Sequence, residues 1–248
     1  MRWVLILAVF LLGAVPARGE IVPMPRQKPA HAETVIPIPR QKPALDEPQV
    51  TASGWPEAEV KAAGQSCQDL LKGLDLKYSA LPPLGNEGGC GAPAPILLSA
   101  VAGVKIDPPA TVTCPLAKAL HEWVTTSLQP AAKTDLSTQV SVIHNAASYV
   151  CRSRNGVTGA KLSEHARANA LDMSGFSYGT NSDVAVADGW SGILAKIGLS
   201  PKGSFLDHVR AGACKSFTTV LGPGSDPYHG THFHVDMIER KHGGRICQ

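Results

Sequence analysis

Two short segments of the chain carry residues whose types and spacing suit a metal site. His232, His234 and Asp236 alternate in one segment, and His165 and Asp172 lie seven positions apart in the other. Alternate residues of a β-strand share one face, so the residues of the first segment would point the same way. A catalytic zinc site needs three nitrogen or oxygen ligands and one position open for water, whose pKa the metal lowers. His165, Asp172 and His234 are able to supply those three ligands, which predicts a hydrolytic zinc centre.

The elements that must hold these side chains are predicted from hydrophobic periodicity and from β-branched or aromatic content. Two helices come first, Glu57–Leu74 and Cys114–Leu128, and the second has apolar residues at spacings of three and four along one face. Short strands follow, most of them bounded by Gly, Asn or Pro. The predicted fold class is α+β, with N-terminal helices packed on a small antiparallel sheet that carries the zinc site and is stapled by disulfides. The expected strands are Gln139–His144, Ala170–Phe176, Phe217–Leu221 and His232–Ile238.

The N-terminal part of the 248-residue chain differs in composition from the rest. Arg2 followed by an apolar stretch from Trp3 to Val15 predicts a secretory signal peptide over residues 1–19, with an uncleaved anchor as the alternative. Residues 20–56 contain a proline-rich repeat, in Pro23–Ala30 and again in Pro37–Ala44, and are typical of an extended tether to a domain at 57–248. We expect no membrane span after signal cleavage, and a net charge of only +3 disfavours a nucleic-acid partner, so none is expected.

Six cysteines become informative once export is expected, because disulfides persist in an oxidising compartment. The even number, and the lack of a Cys-x-x-Cys spacing, favour three disulfides over a metal site. Consecutive segments tend to be adjacent in space, so we expect each cysteine to pair with its neighbour along the chain. The expected pairs are Cys67 with Cys90, Cys114 with Cys151, and Cys214 with Cys247.

The candidate ligands lie in motifs that are similar to those of known enzymes. Ser163–Asp172 reads S-E-H-A-R-A-N-A-L-D, and His232–His234 reads H-F-H. Together they resemble the S-x-H-x-x-G-x-A-x-D and H-x-H motifs of the D-Ala-D-Ala metallopeptidase superfamily. The stretch from Cys67 to Cys247 is more closely similar to the bacterial extensin-like C-terminal domain family. That second resemblance is carried by Gly89-Cys90-Gly91, Tyr149-Val150-Cys151-Arg152, Leu221-Gly222-Pro223-Gly224 and the last cysteine.

The superfamily resemblance implies that zinc is held by His165, Asp172 and His234. The penicillin-insensitive murein endopeptidases carry an H-x-x-H-x-H motif, which this chain reproduces with His229 and His232 before the last ligand. The resemblance therefore implies that His229 and His232 are catalytic. We expect His232 to be the general base, and His229 to orient the water or to donate to the oxyanion.

Further residues surround this constellation. Arg152 or Arg154, just past a predicted strand, is able to bind a substrate carboxylate or the developing negative charge. Asp236 either holds a ligand histidine in its tautomer or only caps the polar face. Two positions depart from the resembled motifs: Ala168 replaces the glycine of the first, and Thr231 stands where the carboxypeptidase branch has a glutamate. The second departure disfavours the carboxypeptidase branch.

The implied function is an exported, zinc-dependent hydrolase that cuts peptidoglycan peptide stems by metal-activated water, in the periplasm or outside the cell. One alternative is a wall-binding or scaffold domain that keeps the zinc fold without turnover. Another is a structural wall protein in which the tether is the functional part. Removal of residues 20–56 distinguishes the structural wall protein from the hydrolase. A hydrolase would keep its activity in vitro, whereas a structural tether would lose its function. The remaining histidines are expected to be surface or structural residues: His31, His121, His144, His208 and His242.

Overall fold

The computed structural model describes residues 53–85, 87–189 and 199–248. The expected signal peptide and residues 20–52 of the expected tether lie outside the described residues, as does His31. Trp55 anchors the first described range, because its indole N–H donates to the carbonyl of Leu84 at 2.6 Å. None of the helices within these ranges is long and apolar enough to cross a membrane.

A single sheet forms the centre of the described domain. Its strands are β1 Leu76–Ala80, β2 Ile96–Val101, β3 Val104–Val112, β4 Val140–Ala147, β5 Ala170–Tyr178, β6 Ser182–Ala185, β7 Thr219–Leu221, β8 Phe233–Asp236 and β9 Ile246–Cys247. They lie in the order β1-β2-β3-β4-β5-β8-β7-β9, and β6 pairs with β5. The pairs β3–β4 and β7–β9 are parallel and the others are antiparallel.

Helices connect the strands of this sheet. The described α-helices are α1 Glu57–Leu71, α2 Cys114–Trp123, α3 Gln129–Asp135, α4 Val186–Gly189 and α5 Pro201–Ser216. A π-helical turn, Val124–Leu128, joins α2 to α3. Proline in the first turn suits the start of α2, where a backbone N–H has no partner within the helix. Residues at helical spacing, Leu116, Leu120 and Trp123, are buried along α2.

Aromatic side chains join α2 and α5 to the sheet. The ring of Trp123 in α2 lies 6.3 Å from that of Phe176 in β5 and 6.1 Å from that of Phe217. Phe176 also packs edge-on against Phe205 of α5, with ring centres 5.5 Å apart. The indole N–H of Trp123 donates to the carbonyl of Val209 at 3.1 Å, so its one polar atom is satisfied in the core. This cluster holds β5, the strand that carries a candidate ligand, against the helices.

The α+β class is confirmed, but two details of the expected architecture are wrong. The sheet is large and mixed rather than small and antiparallel. The reason is the segment from α2 to α3, which returns the chain from β3 to the parallel strand β4 as a helical crossover does. The helices are not all N-terminal, because α5 follows β6. Its start has a sequence signal, since Ser200 accepts from the N–H of Gly203 at 3.1 Å and Pro201 begins the helix.

The expected elements occur with small shifts in their ends. The first helix ends at Leu71, three residues earlier than expected, and the second continues through the π-helical turn into α3. All four expected strands occur, with ends within three residues of the expected positions. The strands β1, β2, β3, β6 and β9 were not expected. Pro108 and Pro109 within β3 argue against a strand, because proline cannot donate to a ladder.

One of the three expected cysteine pairings is confirmed and two are wrong. α1 packs against α2, which brings the cysteine of α1 to the first residue of α2. The loop before β2 lies against the turn Glu164–Arg167, where the N–H of Gly91 donates to the carbonyl of Ala166 at 2.7 Å. That contact favours a disulfide between this loop and the segment after β4. The disulfides are Cys67–Cys114, Cys90–Cys151 and, as expected, Cys214–Cys247.

Candidate metal centre

Two neighbouring strands place two of the candidate ligands opposite each other. β5 pairs with β8 so that Asp172 lies directly across from His234. Leu171 and Met173 are buried in the hydrophobic core. Since successive residues of a strand alternate in direction, Asp172 points to the other face of the sheet. The strand pairing therefore builds half of the site.

The third candidate ligand, His165, lies in the 3₁₀ turn that precedes β5. Ser163 caps this turn by accepting from the N–H of His165 at 3.4 Å. Ala168 ends the turn in the left-handed region, with φ 53°, and its N–H donates to the carbonyl of His165 at 3.1 Å. A glycine would adopt this conformation at a cost lower by about 1 kcal/mol. The alanine at this position therefore keeps the turn that the glycine of the resembled motif would make.

A buried carboxylate holds the same turn from behind. Glu164 accepts from the guanidinium of Arg167 at 2.9 Å and from the side-chain amide of Asn169 at 2.8 Å. The amide oxygen of Asn169 in turn accepts from the hydroxyl of Thr113 at 3.1 Å. Glu164 is adjacent to the candidate ligand His165 in the chain. Its carboxylate nevertheless bonds to Arg167 and Asn169 and not to the candidate ligands.

The three candidate ligand atoms meet at short range. Nε2 of His165 lies 3.1 Å from Oδ1 of Asp172 and 3.2 Å from Nδ1 of His234. Nδ1 of His234 lies 2.8 Å from the same carboxylate oxygen, and all three residues are buried. Ligand atoms held tetrahedrally at zinc-like distances stand about 3.4 Å apart. The observed separations are close to that value.

The other ring nitrogens of the two histidines have partners that fix the tautomers. Nδ1–H of His165 donates to the carbonyl of Ser148 at 2.5 Å, and Nε2–H of His234 donates to Oδ2 of Asp236 at 3.2 Å. The nitrogens that face Asp172 therefore carry lone pairs. Three electron-pair donors at this range are able to hold one cation between them, so these residues fit a metal ion. Of the two roles open to Asp236, the geometry favours orientation of His234.

In the metal-free protein the same contacts shift two pKa values in opposite directions. Burial raises the pKa of Asp172, but hydrogen bonds with His165 and His234 outweigh burial and hold this pKa below its ordinary range. Burial lowers the pKa of His234, but hydrogen bonds with Asp172 and Asp236 outweigh burial and raise this pKa to about 9. A proton on His234 thus supplies the positive charge that the carboxylates require.

Two more histidines flank the ligand cluster. Nε2 of His232 lies 3.6 Å from Oδ1 of Asp172, and burial lowers the pKa of His232 despite the attraction of that carboxylate. Nδ1–H of His229 donates to Oδ1 of Asp226 at 2.7 Å. The ring centre of His229 lies 5.3 Å from that of His232 and 5.5 Å from that of His234. The structure therefore brings both expected catalytic histidines to the candidate ligands.

The described fold and site lie almost entirely within a stretch that matches a known protein family. The model of the family described as extensin-like protein C-terminus matches residues 65–248. The chain belongs to this extensin-like family. No curated protein and no solved structure matches the chain. The matched range contains all three disulfides and every candidate site residue.

A cleft of about 570 Å³ in the extensin-like domain gives access to the ligands. Arg152 and Arg154, in the segment after β4, line this cleft together with Tyr228 and the C-terminal Gln248. Arg152 is half-buried and donates to the carbonyl of Ser153 at 3.4 Å. Within the described ranges neither arginine has an acidic partner. Both arginines that were candidates for anion binding therefore lie at the cleft. No carboxylate among the described residues forms an ion pair with either of them.

Two hydrogen-bond partners of the site histidines, the carbonyl of Ser148 and the carboxylate of Asp226, were not predicted from the sequence. The carbonyl of Ser148 belongs to the backbone, so no residue type signals its role. Asp226 stands two residues before Tyr228, which is the spacing of an Asx turn, and the residue after Tyr228 is His229. Of the histidines set aside, His144 and His208 have hydrogen-bond partners outside the cleft.

Proposed function

We propose that this extensin-like domain is a zinc-dependent hydrolase that cuts the peptide stems of peptidoglycan. The observation that carries the proposal is the convergence of three electron-pair donors at an open cleft. His165, Asp172 and His234 would hold the metal. Zinc, when bound, supplies a Lewis acid and lowers the pKa of water to about 7. Without these donors nothing in the cleft would distinguish a hydrolase from a binding domain.

Two features support the choice of substrate and compartment. The H-x-x-H-x-H motif resembles that of the murein endopeptidases, which supports a cell-wall peptide as substrate. The three disulfides support an oxidising compartment, and with the expected signal peptide they favour the periplasm or the outside of the cell. The partner that we propose is therefore the peptide part of the wall polymer.

Hydrolysis of an amide requires the transfer of one proton. A C–O bond forms and a C–N bond breaks, while a proton moves from the attacking water to the leaving nitrogen. His229 and His232 are suited to this transfer because both rings adjoin the ligand cluster at the cleft. The lowered pKa of His232 keeps its ring neutral at pH 7, so one nitrogen accepts a proton and the other donates a hydrogen bond.

A peptide substrate also needs a contact that aligns the bond to be cut. Arg152 lines the cleft, and its planar guanidinium is able to bind a carboxylate through two parallel hydrogen bonds. Peptidoglycan stems carry free carboxylates. We propose that Arg152 binds such a group or the negative charge that develops on the carbonyl, and that the exposed Arg154 adds to the positive potential there.

Metal content and digestion of purified peptidoglycan together test the proposal. We expect about one zinc per chain and cleaved stem peptides, identified by the masses of the products. His234→Ala removes a ligand, so it should lose both zinc and cleavage. His242→Ala is the matched control, because His242 is exposed and lies outside the cleft, and it should keep both.

The outcomes separate the proposal from its alternative. Zinc without cleavage, in a sample that an active wall hydrolase does cut, would favour a wall-binding scaffold. Lack of zinc in the protein purified with zinc present would contradict both zinc-based functions.

A further inference from the structure

The loop between β7 and β8 is organised around one carboxylate. Oδ1 of Asp226 accepts from the backbone N–H of Tyr228 at 2.8 Å and from that of His229 at 3.1 Å. The same oxygen accepts from Nδ1–H of the His229 ring at 2.7 Å. Asp226 therefore fixes both the backbone turn and the orientation of the imidazole that the turn carries.

This contact also decides which nitrogen of His229 is available. A neutral imidazole has one N–H and one lone pair, and the hydrogen bond to Asp226 places the N–H on Nδ1. The lone pair is then on Nε2. His229 lines the cleft, and only 11% of its side chain is exposed, so the ring has little freedom to turn over. The result is a proton acceptor that is already oriented before a substrate binds.

His232 lacks such a partner. Its Nε2 lies 3.6 Å from Oδ1 of Asp172, which is beyond hydrogen-bond distance, and no carboxylate among the described residues approaches its ring more closely. That nitrogen is nevertheless near Oδ1 of Asp172, one of the atoms that would hold a metal ion, and such an ion would polarise a substrate carbonyl. A nearby N–H suits donation to an oxyanion. This geometry favours the reverse of the roles that we expected for His229 and His232.

We infer that Asp226 is a positioning residue that makes His229 the proton-transfer group of the cleft, a role that rests on the proposed hydrolytic function. Nε2 of His229 takes a proton from the attacking water. The imidazolium keeps its Nδ1–H on the carboxylate of Asp226, which stays ionised, as in the pairing of aspartate and histidine in serine hydrolases. The proton on Nε2 then passes to the leaving amine nitrogen, which restores the neutral ring.

The orientation is tested without any assay of activity. In protein labelled with ¹⁵N-histidine, we expect the neutral ring of His229 to carry its proton on Nδ1, both with and without zinc. Asp226→Ala should convert this signal to a mixture of the two tautomers. An unchanged tautomer in Asp226→Ala would overturn the positioning role. Equal zinc content and equal circular dichroism in the variant show that the fold and the ligands persist.

Kinetics on peptidoglycan fragments test the proton transfer. Asp226→Asn keeps the size of the side chain and an oxygen for the two backbone N–H groups, but it removes the charge. We expect kcat to fall by about 10²-fold at nearly constant KM. Asp107→Asn is the matched control, because Asp107 is an exposed residue paired with Lys105 outside the cleft, and we expect its kcat to be unchanged.

A second variant addresses the histidine itself. His229→Ala should lose activity, and added imidazole should restore part of it, whereas His232→Ala should not be rescued in this way. An unaltered kcat in Asp226→Asn, or rescue of His232→Ala but not of His229→Ala, would overturn the assignment. If the wild-type protein binds zinc and cuts no peptide, the proton-transfer role fails together with the proposed function. The tautomer measurement still decides the orientation in that case.

Discussion

Two short segments meet at the cleft, and they are held in different ways. The turn that carries His165 is tied to distant parts of the chain, because Ala166 accepts from the N–H of Gly91 and Ala168 accepts from the N–H of Thr113, both at 2.7 Å. The disulfide between the Gly91 loop and the segment after β4 adds a covalent tie. The candidate ligand on this turn is thus fixed by contacts across the fold.

The loop that carries His229 depends on local contacts. Among the described residues, the hydrogen bonds identified for 222–231 join positions at most three apart. Asp226 accepts four of them, three through its carboxylate and one through its backbone carbonyl. A segment held by local contacts responds to single substitutions more readily than one that is tied to several elements. The candidate ligand His165 is thus fixed by contacts across the fold, whereas the orientation of His229 depends on one carboxylate.

The largest effect is expected when the same substitution is made on β5, which follows the His165 turn, and in the loop that carries His229. Asp172→Asn removes the only charged ligand, so we expect the protein to lose its zinc on dialysis. Asp226→Asn should keep about one zinc per chain, because the hydrogen bonds that the Asp226 carboxylate makes to described residues all go to the second segment. Metal analysis of the two purified variants makes the comparison. Equal zinc loss in both variants would show that the two segments are not separate.

The next effect comes from the covalent tie. Replacement of Cys90 and Cys151 by serine opens a loop of 61 residues, and we expect the free energy of unfolding to fall by about 2–5 kcal/mol. Zinc affinity should fall too, because this disulfide supports the His165 turn. The control is the matching replacement of Cys214 and Cys247, which should cost similar stability but leave the affinity unchanged. Denaturant unfolding and zinc titration measure the two quantities, and equal losses of affinity would contradict the prediction.

A smaller effect should appear as a pH dependence of the metal-free protein. The pKa of His234 is raised from 6.5 to about 9 in the folded state. Its contribution to stability is therefore fully present below pH 6.5 and is lost as the pH rises through about 9. We expect the urea midpoint to fall across this window in the wild-type protein and to fall less in His234→Gln. An equal fall of the urea midpoint in both proteins would show that another group causes the pH dependence.

The smallest effect is expected at the end of the His165 turn. Ala168→Gly relieves the strain of the left-handed backbone at φ 53°. The substitution also removes a buried methyl group and raises the conformational entropy of the unfolded chain. These terms oppose each other, so we expect thermal stability to change by less than about 1 kcal/mol and zinc affinity to stay the same. A large loss of affinity would mean that the alanine itself shapes the site.

Much of the candidate site could be predicted from sequence because strand alternation is a local property. Asp172 and His234 occupy strands whose ends were expected within two residues, and their pairing follows from the antiparallel neighbours β5 and β8. The partner of His229 was missed because an Asx turn depends on a single side chain within an irregular loop. The size of the sheet was not predicted because Pro108 and Pro109 argue against a strand at β3. Without β3, a helical crossover to the parallel strand β4 could not be predicted either.

The cysteine pairs were harder to predict because they depend on which elements pack together. The pair near the C-terminus closes the shortest loop, 33 residues, and was predicted correctly from chain order. The other two connections overlap along the sequence, so chain order gives the wrong answer for both.

That overlap has a consequence for how the protein is made. A chain that emerges N-terminus first exposes Cys67 and Cys90 before the native partner of either has appeared. Rapid oxidation at that stage would join these two cysteines, and the native bonds would then form only by exchange through a mixed disulfide. Good yields should therefore depend on a disulfide isomerase or a glutathione redox buffer, and a strong oxidant alone should give trapped isomers.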